Sequence, residues 1–276
     1  MALWQEFADS FVLFRDPMLA GGIAGMALGL LGIFIVLRRM VFFSAALAQS
    51  AGLGVALAFY VELMLQISVG PVWGAALCAT ATGFVLTMRH ERMGTTREAM
   101  LGLVFIASGA LAVILGTAIA QEAQDIHAIL FGTAVLVRQS DLLVLGAGAL
   151  VTMVSVVLLW RGLVSVNFDP EGARVQGLPV SWLNVALIGF IILMNSVAMR
   201  TNGMLPVFAF SVLPAVAALG LTRRLWLAAV LASGFGLISG VGGYVLAFMR
   251  DLPVGASQAF VAVMLAVAGL IISRLR

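Results

Sequence analysis

The sequence predicts an all-α, polytopic membrane bundle, and three observations carry that reading. Hydrophobic residues fill 63% of 276 positions and charged residues only 10%, against roughly 25% charged in a soluble globule. Apolar runs of about 20 residues, the length a hydrocarbon core near 30 Å demands of a helix, recur along the whole chain. Every basic residue is an arginine, since the sequence contains no lysine, and the arginines fall singly or in pairs between those runs. Such placement is a topology signal. It makes no basic patch for nucleic acid.

Read by apolar length and by breaks, the spans are expected at 18–37, 41–61, 71–88, 99–120, 142–160, 180–199, 204–221, 226–248 and 256–273, nine in all. The stretch 128–137 is apolar but too short to cross, and reads as a half-helix or re-entrant piece whose ends protein or water must cover. Nine crossings put the termini on opposite sides. With the C-terminus inside, the cytoplasmic segments hold Arg38, Arg39, Arg89, Arg92, Arg97, Arg161, Arg174, Arg223, Arg224, Arg274 and Arg276, leaving only Arg15, Arg138, Arg200 and Arg250 outside. The N-terminus is therefore expected outside. Glu6, Asp9, Arg15 and Asp16 precede the first span, unlike the basic leader of a cleaved signal peptide, so this span is expected to be retained. The first 16 residues fit an interfacial amphipathic helix. No segment is long enough for a separate soluble domain, and residues 1–276 read as a single transmembrane domain.

Gly21, Gly25 and Gly29 form a GxxxGxxxG row on the first span, and Gly236 with Gly240 repeats the interval near the other end. Small residues so spaced let two backbones approach closely in a bilayer. Packing within the chain is the expected use, ahead of a dimer seam. The lone cysteine, Cys78, allows no intrachain disulfide and reads as a packing residue.

The missing charges exclude several mechanisms. A carrier driven by protons or sodium keeps carboxylates or histidines at membrane depth, and the spans hold essentially none. Glu98 only begins its helix, where the dipole favours a carboxylate. A phosphate-binding P-loop needs the lysine of GxxxxGK, so a lysine-free chain cannot hydrolyse ATP by that route. No paired carboxylates, Ser/His set or HExxH points to an intramembrane enzyme, and no cofactor is implied. If ATP drives transport, a separate subunit must bind it and push on a cytoplasmic loop. The longest internal loop is 161–179. Asp169 at an N-cap, Pro170 at the first helical position, Glu171 in the first turn and Gly177 closing the turn would make a short helix there. A plain connecting loop fits the same residues.

At this loop the sequence meets a resemblance. The run NFDPEGARVQG, Asn167 to Gly177, is similar to the FDPExAxxxG stretch of permease subunits in the zinc and manganese class of metal-uptake ABC transporters. Leu37 to Met40 resemble that family's RRM after the first span, and Leu47, Ala48 and Gly54 keep the spacing of its second. Leu130, Phe131 and Gly132 match its LFG, preceded by Asp125. Gly203 to Ala218, with Ala209, Leu213, Pro214 and Ala215, resembles its GxLLVxALLxxPAxxA helix, and Asp251, Pro253 and Gly255 its xPxG before the last span.

The resemblance implies an inner-membrane permease that forms a homodimer or pairs with a close relative, surrounded by lipid. A cytoplasmic ATP-binding subunit docks beneath it, and an extracytoplasmic substrate-binding protein delivers a divalent metal ion. It assigns Phe168, Asp169, Pro170, Glu171 and Gly177 to the ATPase-coupling loop. Ser44, Gln49, Pro206, Ser211 and Pro214 are the candidates for the translocation path. Pro206 and Pro214 are expected to break their helix and free backbone carbonyls for a passing ion or merely to kink it. Asp125 and His127 are candidates for the outer mouth, although a lone histidine near the interface is more often just a polar residue, and His90 among Arg89, Glu91 and Arg92 reads as a solvated turn.

One departure stands out. Many relatives read GDxLxHA in the second span, with an aspartate and a histidine one helical turn apart as metal ligands; here Ala45 and Gln49 take those places. An alanine cannot ligate, and an amide oxygen is a weak neutral ligand. The metal-ligand set is thus unknown, and a non-metal solute or metal chelate is the alternative substrate. A membrane assembly protein with no transport cycle is the reading from another class.

Overall fold

The computed structural model describes residues 11–66, 69–87, 97–119 and 137–275. Their long helices are α1 (Phe11–Leu37), α2 (Val41–Leu65), α3 (Pro71–Thr87), α4 (Arg97–Ile119), α5 (Gln139–Leu158), α8 (Val180–Asn202), α9 (Met204–Leu221), α10 (Leu225–Arg250) and α11 (Val254–Leu275), with two short helices, α6 (Trp160–Phe168) and α7 (Pro170–Val175), between α5 and α8. No strand occurs among the described residues. Eight of these helices are long and apolar enough to cross a membrane, and α3 is the shorter ninth. At 17 residues it spans about 25 Å, near the lower limit for a crossing.

Two boundaries differ from the sequence reading. Helix α1 already includes Phe11, so residues 11–16 continue the first span and do not form a separate interfacial helix, while residues 1–10 of that expected helix lie outside the described residues. Pro17, inside it, forfeits one hydrogen bond close to the helix start, which the long apolar body tolerates. The loop 161–179 is largely helical, because Leu163 and Val166 of α6 and Ala173 of α7 are buried against the bundle. The short apolar stretch 128–137 lies almost wholly outside the described residues.

The glycine rows find each other. Helices α1 and α10 run antiparallel, Gly21 against Gly240, Gly25 against Gly236 and Gly29 against Ala232, with backbone touching backbone. A Cβ on Gly25 would stand 2.7 Å from the carbonyl carbon of Gly236, well inside the roughly 3.5–4.0 Å that carbon atoms keep. Phe14 extends this seam by packing edge-on against Phe248 at 5.0 Å. Helix α1 also meets α9, where Gly32 lies against Ser211. Its span is 78% buried within the chain, against 22% for α4 and for α5. So α1 is the hub, and α4 and α5 turn Leu103, Ile106, Leu143 and Leu150 outward, away from the bundle.

A second group surrounds α2. Gly54 and Gly74 bring α2 and α3 into backbone contact. Farther along, Ser50 donates to the Cys78 carbonyl at 3.0 Å and sits 2.6 Å from the Thr82 hydroxyl. Helix α8 bridges the groups, with Ile192 filling the gap over Gly83.

Candidate functional site

The residues that the sequence singled out separate into three places. The first is α7. Asp169 is its N-cap, its carboxylate accepting the Gly172 N–H at 2.8 Å, and Pro170 follows at the first helical position. A Cβ on Gly172 would meet the Asp169 carboxylate, which would have to shift. Gly177 closes the element with φ +78, a left-handed conformation that glycine adopts without strain. The capping chemistry read from the sequence is thus present. Phe168 is 61% exposed and Val175 90% exposed, and Glu171 and Arg174 are exposed beside them. Phe168 at the end of α6 and Glu171, Arg174 and Val175 of α7 thus present two apolar and two charged side chains together.

The second place is the contact of α2 with α9. The Ser44 hydroxyl donates to the Ser211 hydroxyl at 2.9 Å, and Ser211 donates on to the Phe208 carbonyl at 2.8 Å. Both serines are fully buried. Pro214 lies inside α9, where its ring removes the hydrogen bond to the carbonyl four residues back. Its Cβ faces Gly29 of α1. Pro206 differs from expectation: it is the third residue of α9, in the first turn, where the N–H has no helical partner to lose, so it does not break the helix.

Gln49 is the third place, and it does not join Ser44 and Ser211. Its side chain turns to α4, with Oε1 3.1 Å from where a Cβ on Gly109 would stand, and that oxygen is buried without a partner among the described residues. Ala45, one turn before it, is buried and apolar. The described residues contain no group of three or more His, Cys, Asp or Glu able to hold a metal ion. Asp125, His127, His90 and the LFG run at 130–132 lie outside the described residues.

Other polar positions escaped the sequence reading. At one end of the bundle Arg38 donates from Nε to Asn167 at 2.6 Å and from a terminal nitrogen to Asn184 at 2.8 Å. Burial pushes its pKa below the ordinary arginine value, yet a guanidinium this basic stays charged. Toward the other end Gln258 donates to the Gly240 carbonyl at 3.1 Å, over Gly21 and close to Asn202. There Arg200 of α8 also pairs with Asp141 of α5 at 3.2 Å. Isolated Asn and Gln within apolar runs were the available signal, since a buried amide needs a partner.

A family model described as the ABC 3 transport family matches residues 10–273. The chain is 30% identical over 254 residues to the manganese transport system membrane protein MntC of Halalkalibacterium halodurans, covering 92% of this chain and 85% of that one. It is 23% identical over 247 residues to the high-affinity zinc uptake system membrane protein ZnuB of Haemophilus influenzae, covering 90% of this chain and 92% of that one. Its fold matches a solved structure of PsaBC from Streptococcus pneumoniae in complex with Fab, with a TM-score of 0.85 at 22% identity over 96% of this chain and 94% of that one.

Proposed function

This chain belongs to the ABC 3 transport family, and from that membership we propose that it is the membrane-spanning permease of an ABC importer for a divalent ion of the manganese or zinc class. Residues 1–276 act as one transmembrane domain in the inner membrane, N-terminus outside and C-terminus cytoplasmic, as the arginine distribution favours. A separate ATP-binding subunit supplies the energy, a binding protein delivers the ion from outside, and two permeases pair around the path. The chain itself carries out no ATP hydrolysis.

The observation that carries this reading is α7, a capped helix outside every span, in a chain with no lysine for a P-loop. Closure of the ATPase pair presses on Phe168, Asp169, Pro170, Glu171 and Gly177, and the motion passes into the bundle. The path follows α2, with Ser44 and Ser211 on its α9 side and Gln49 on its α4 side. Pro206 and Pro214 shape the α9 wall, while Asp125 and His127 stand at the outer mouth. Access alternates as α2 and α9 part on one side and close on the other.

The test replaces Asp169 and Glu171 together by alanine in the assembled transporter in lipid vesicles. Loss of the cap and first-turn charge weakens α7 by about 1–2 kcal/mol, and ATP-driven manganese or zinc uptake is expected to fall. Unchanged uptake and unchanged stimulation of ATP hydrolysis would remove α7 from the coupling role. A second reading, a metal chelate as substrate, is favoured by Ala45 and Gln49, which offer no charged ligand. Uptake of the chelate without uptake of the free ion would establish it.

A further inference from the structure

We propose that Arg38 is the positioning residue that locks the coupling helix to the hub of the bundle, so that α6, α7, α1 and the start of α8 move as one body during the ATP cycle. The proposal rests on the reading of α7 as the ATPase-driven element.

Arg38 follows directly on α1. Its planar fork reaches Asn167 at the end of α6 and Asn184 in the second turn of α8, at 2.6 and 2.8 Å. Asn167 lies two residues before Asp169, the cap of α7. A single rigid group therefore spans three helices, with no flexible carboxylate arm between them. The remaining terminal nitrogen is buried and has no partner among the described residues, so within them the two amide oxygens are the acceptors that fix the guanidinium. Charge-assisted hydrogen bonds of this kind are about twice as strong as neutral ones, and the fork fixes their directions.

The other end of α6 is tied as well. Trp160, its first residue, packs edge-on against Phe34 of α1 at 5.5 Å and against Trp226 of α10 at 5.1 Å. Helix α6 is thus gripped by α1 at both ends, and α7 is its direct continuation. Beyond these grips α1 lies backbone to backbone on α10 and α9 through Gly25, Gly29 and Gly32. A push on α7 thus reaches the centre of the bundle through α6 and these side-chain grips, across the one non-helical residue Asp169 that separates the two short helices. On the far side of Arg38 the chain turns sharply at Arg39, φ 56, into α2, so the same joint also sets where α2 begins.

An arginine that merely stabilises the fold would lower uptake and ATP hydrolysis together, in proportion to lost protein. A positioning residue changes their ratio. The experiment uses the complete transporter in vesicles and measures manganese uptake and ATP hydrolysis in the same sample for Arg38→Lys, Asn167→Ala and Asn167→Asp. Lysine keeps the charge but cannot direct two forked bonds, and alanine removes one acceptor. Both should lower uptake per ATP about tenfold, within the range that coupling mutations span, while hydrolysis stays within about twofold. Asn167→Asp, which keeps an acceptor for Nε, should retain the native ratio. Should Arg38→Lys fail to fold, the two Asn167 variants decide, because Asn167 is only part-buried. A native ratio in Arg38→Lys and Asn167→Ala, or uptake and hydrolysis falling in parallel, would overturn the proposal. Failure of the underlying reading looks different: the wild-type vesicles would show no ATP-dependent uptake, or the Asp169/Glu171 double variant would couple normally.

Discussion

Replacing Gly25 by alanine adds a single methyl group at the tightest point of the bundle. That methyl would stand 2.7 Å from the carbonyl carbon of Gly236 and 3.4 Å from its Cα, and closer still to its oxygen. Nothing there is a flexible side-chain end, so α1 and α10 must separate by about 1 Å to restore ordinary contact. Overpacking of this kind costs about 1–3 kcal/mol. For a chain of this size that corresponds to a melting temperature lower by roughly 2–10 °C. Gly236→Ala meets the Gly25 backbone from the other side, its carbonyl carbon at 2.5 Å, and should cost a similar amount. The double variant should cost less than the sum, because one separation accommodates both methyls. Gly234→Ala is the control, since nothing lies within 4 Å of its added Cβ. Thermal unfolding of the purified permease in detergent, followed by loss of the monodisperse peak, reads all four proteins. A Gly25→Ala protein that melts with the Gly234→Ala control would refute the seam.

The α2 position gives a second test: Gln49→Ala should leave metal uptake intact, whereas Ala45→Asp with Gln49→His should build a site one turn apart that slows uptake by holding the ion, since a conducting site must also release. Abolished uptake in Gln49→Ala at normal protein level would make the amide a ligand. At the Arg200 end, Asp141→Asn should lower stability by about 1–3 kcal/mol, between surface and buried ion-pair values, and exchanging the two charges should recover part of the loss; unchanged melting in Asp141→Asn and Arg200→Gln would show the pair to be idle. The purified chain without partners should hydrolyse no ATP, and specific turnover in its absence of partners would contradict the lysine argument.

The spans were legible because a bilayer demands long apolar runs, and the chain supplies them almost without interruption. Short amphipathic elements were harder. Residues 161–168 carry Arg161, Ser165 and Asn167 among apolar neighbours and read as loop, yet Leu163 and Val166 find buried sites and packing makes them helical. Helix α7 was readable because its signal is local: Asp169, Pro170 and Gly177 act within one turn of themselves. The glycine seam was half readable, its rows evident but their mutual register set only by the antiparallel packing of α1 on α10. Arg38 was not readable as a clamp at all. Its partners lie 129 and 146 residues away, and no periodicity along the chain links an arginine to two distant asparagines.

The seam between α1 and α10 joins the first described span to the last but one. During synthesis Gly25 enters the membrane roughly 200 residues before Gly236 exists, an interval of about 10–40 s at ordinary elongation rates. For that time the groove of α1 faces lipid or a helper protein, and the hub has no partner along its glycine face. Closure of the bundle is therefore a late event in biogenesis. A chain truncated before α10 would hold most of its spans yet expose the open groove to membrane proteases.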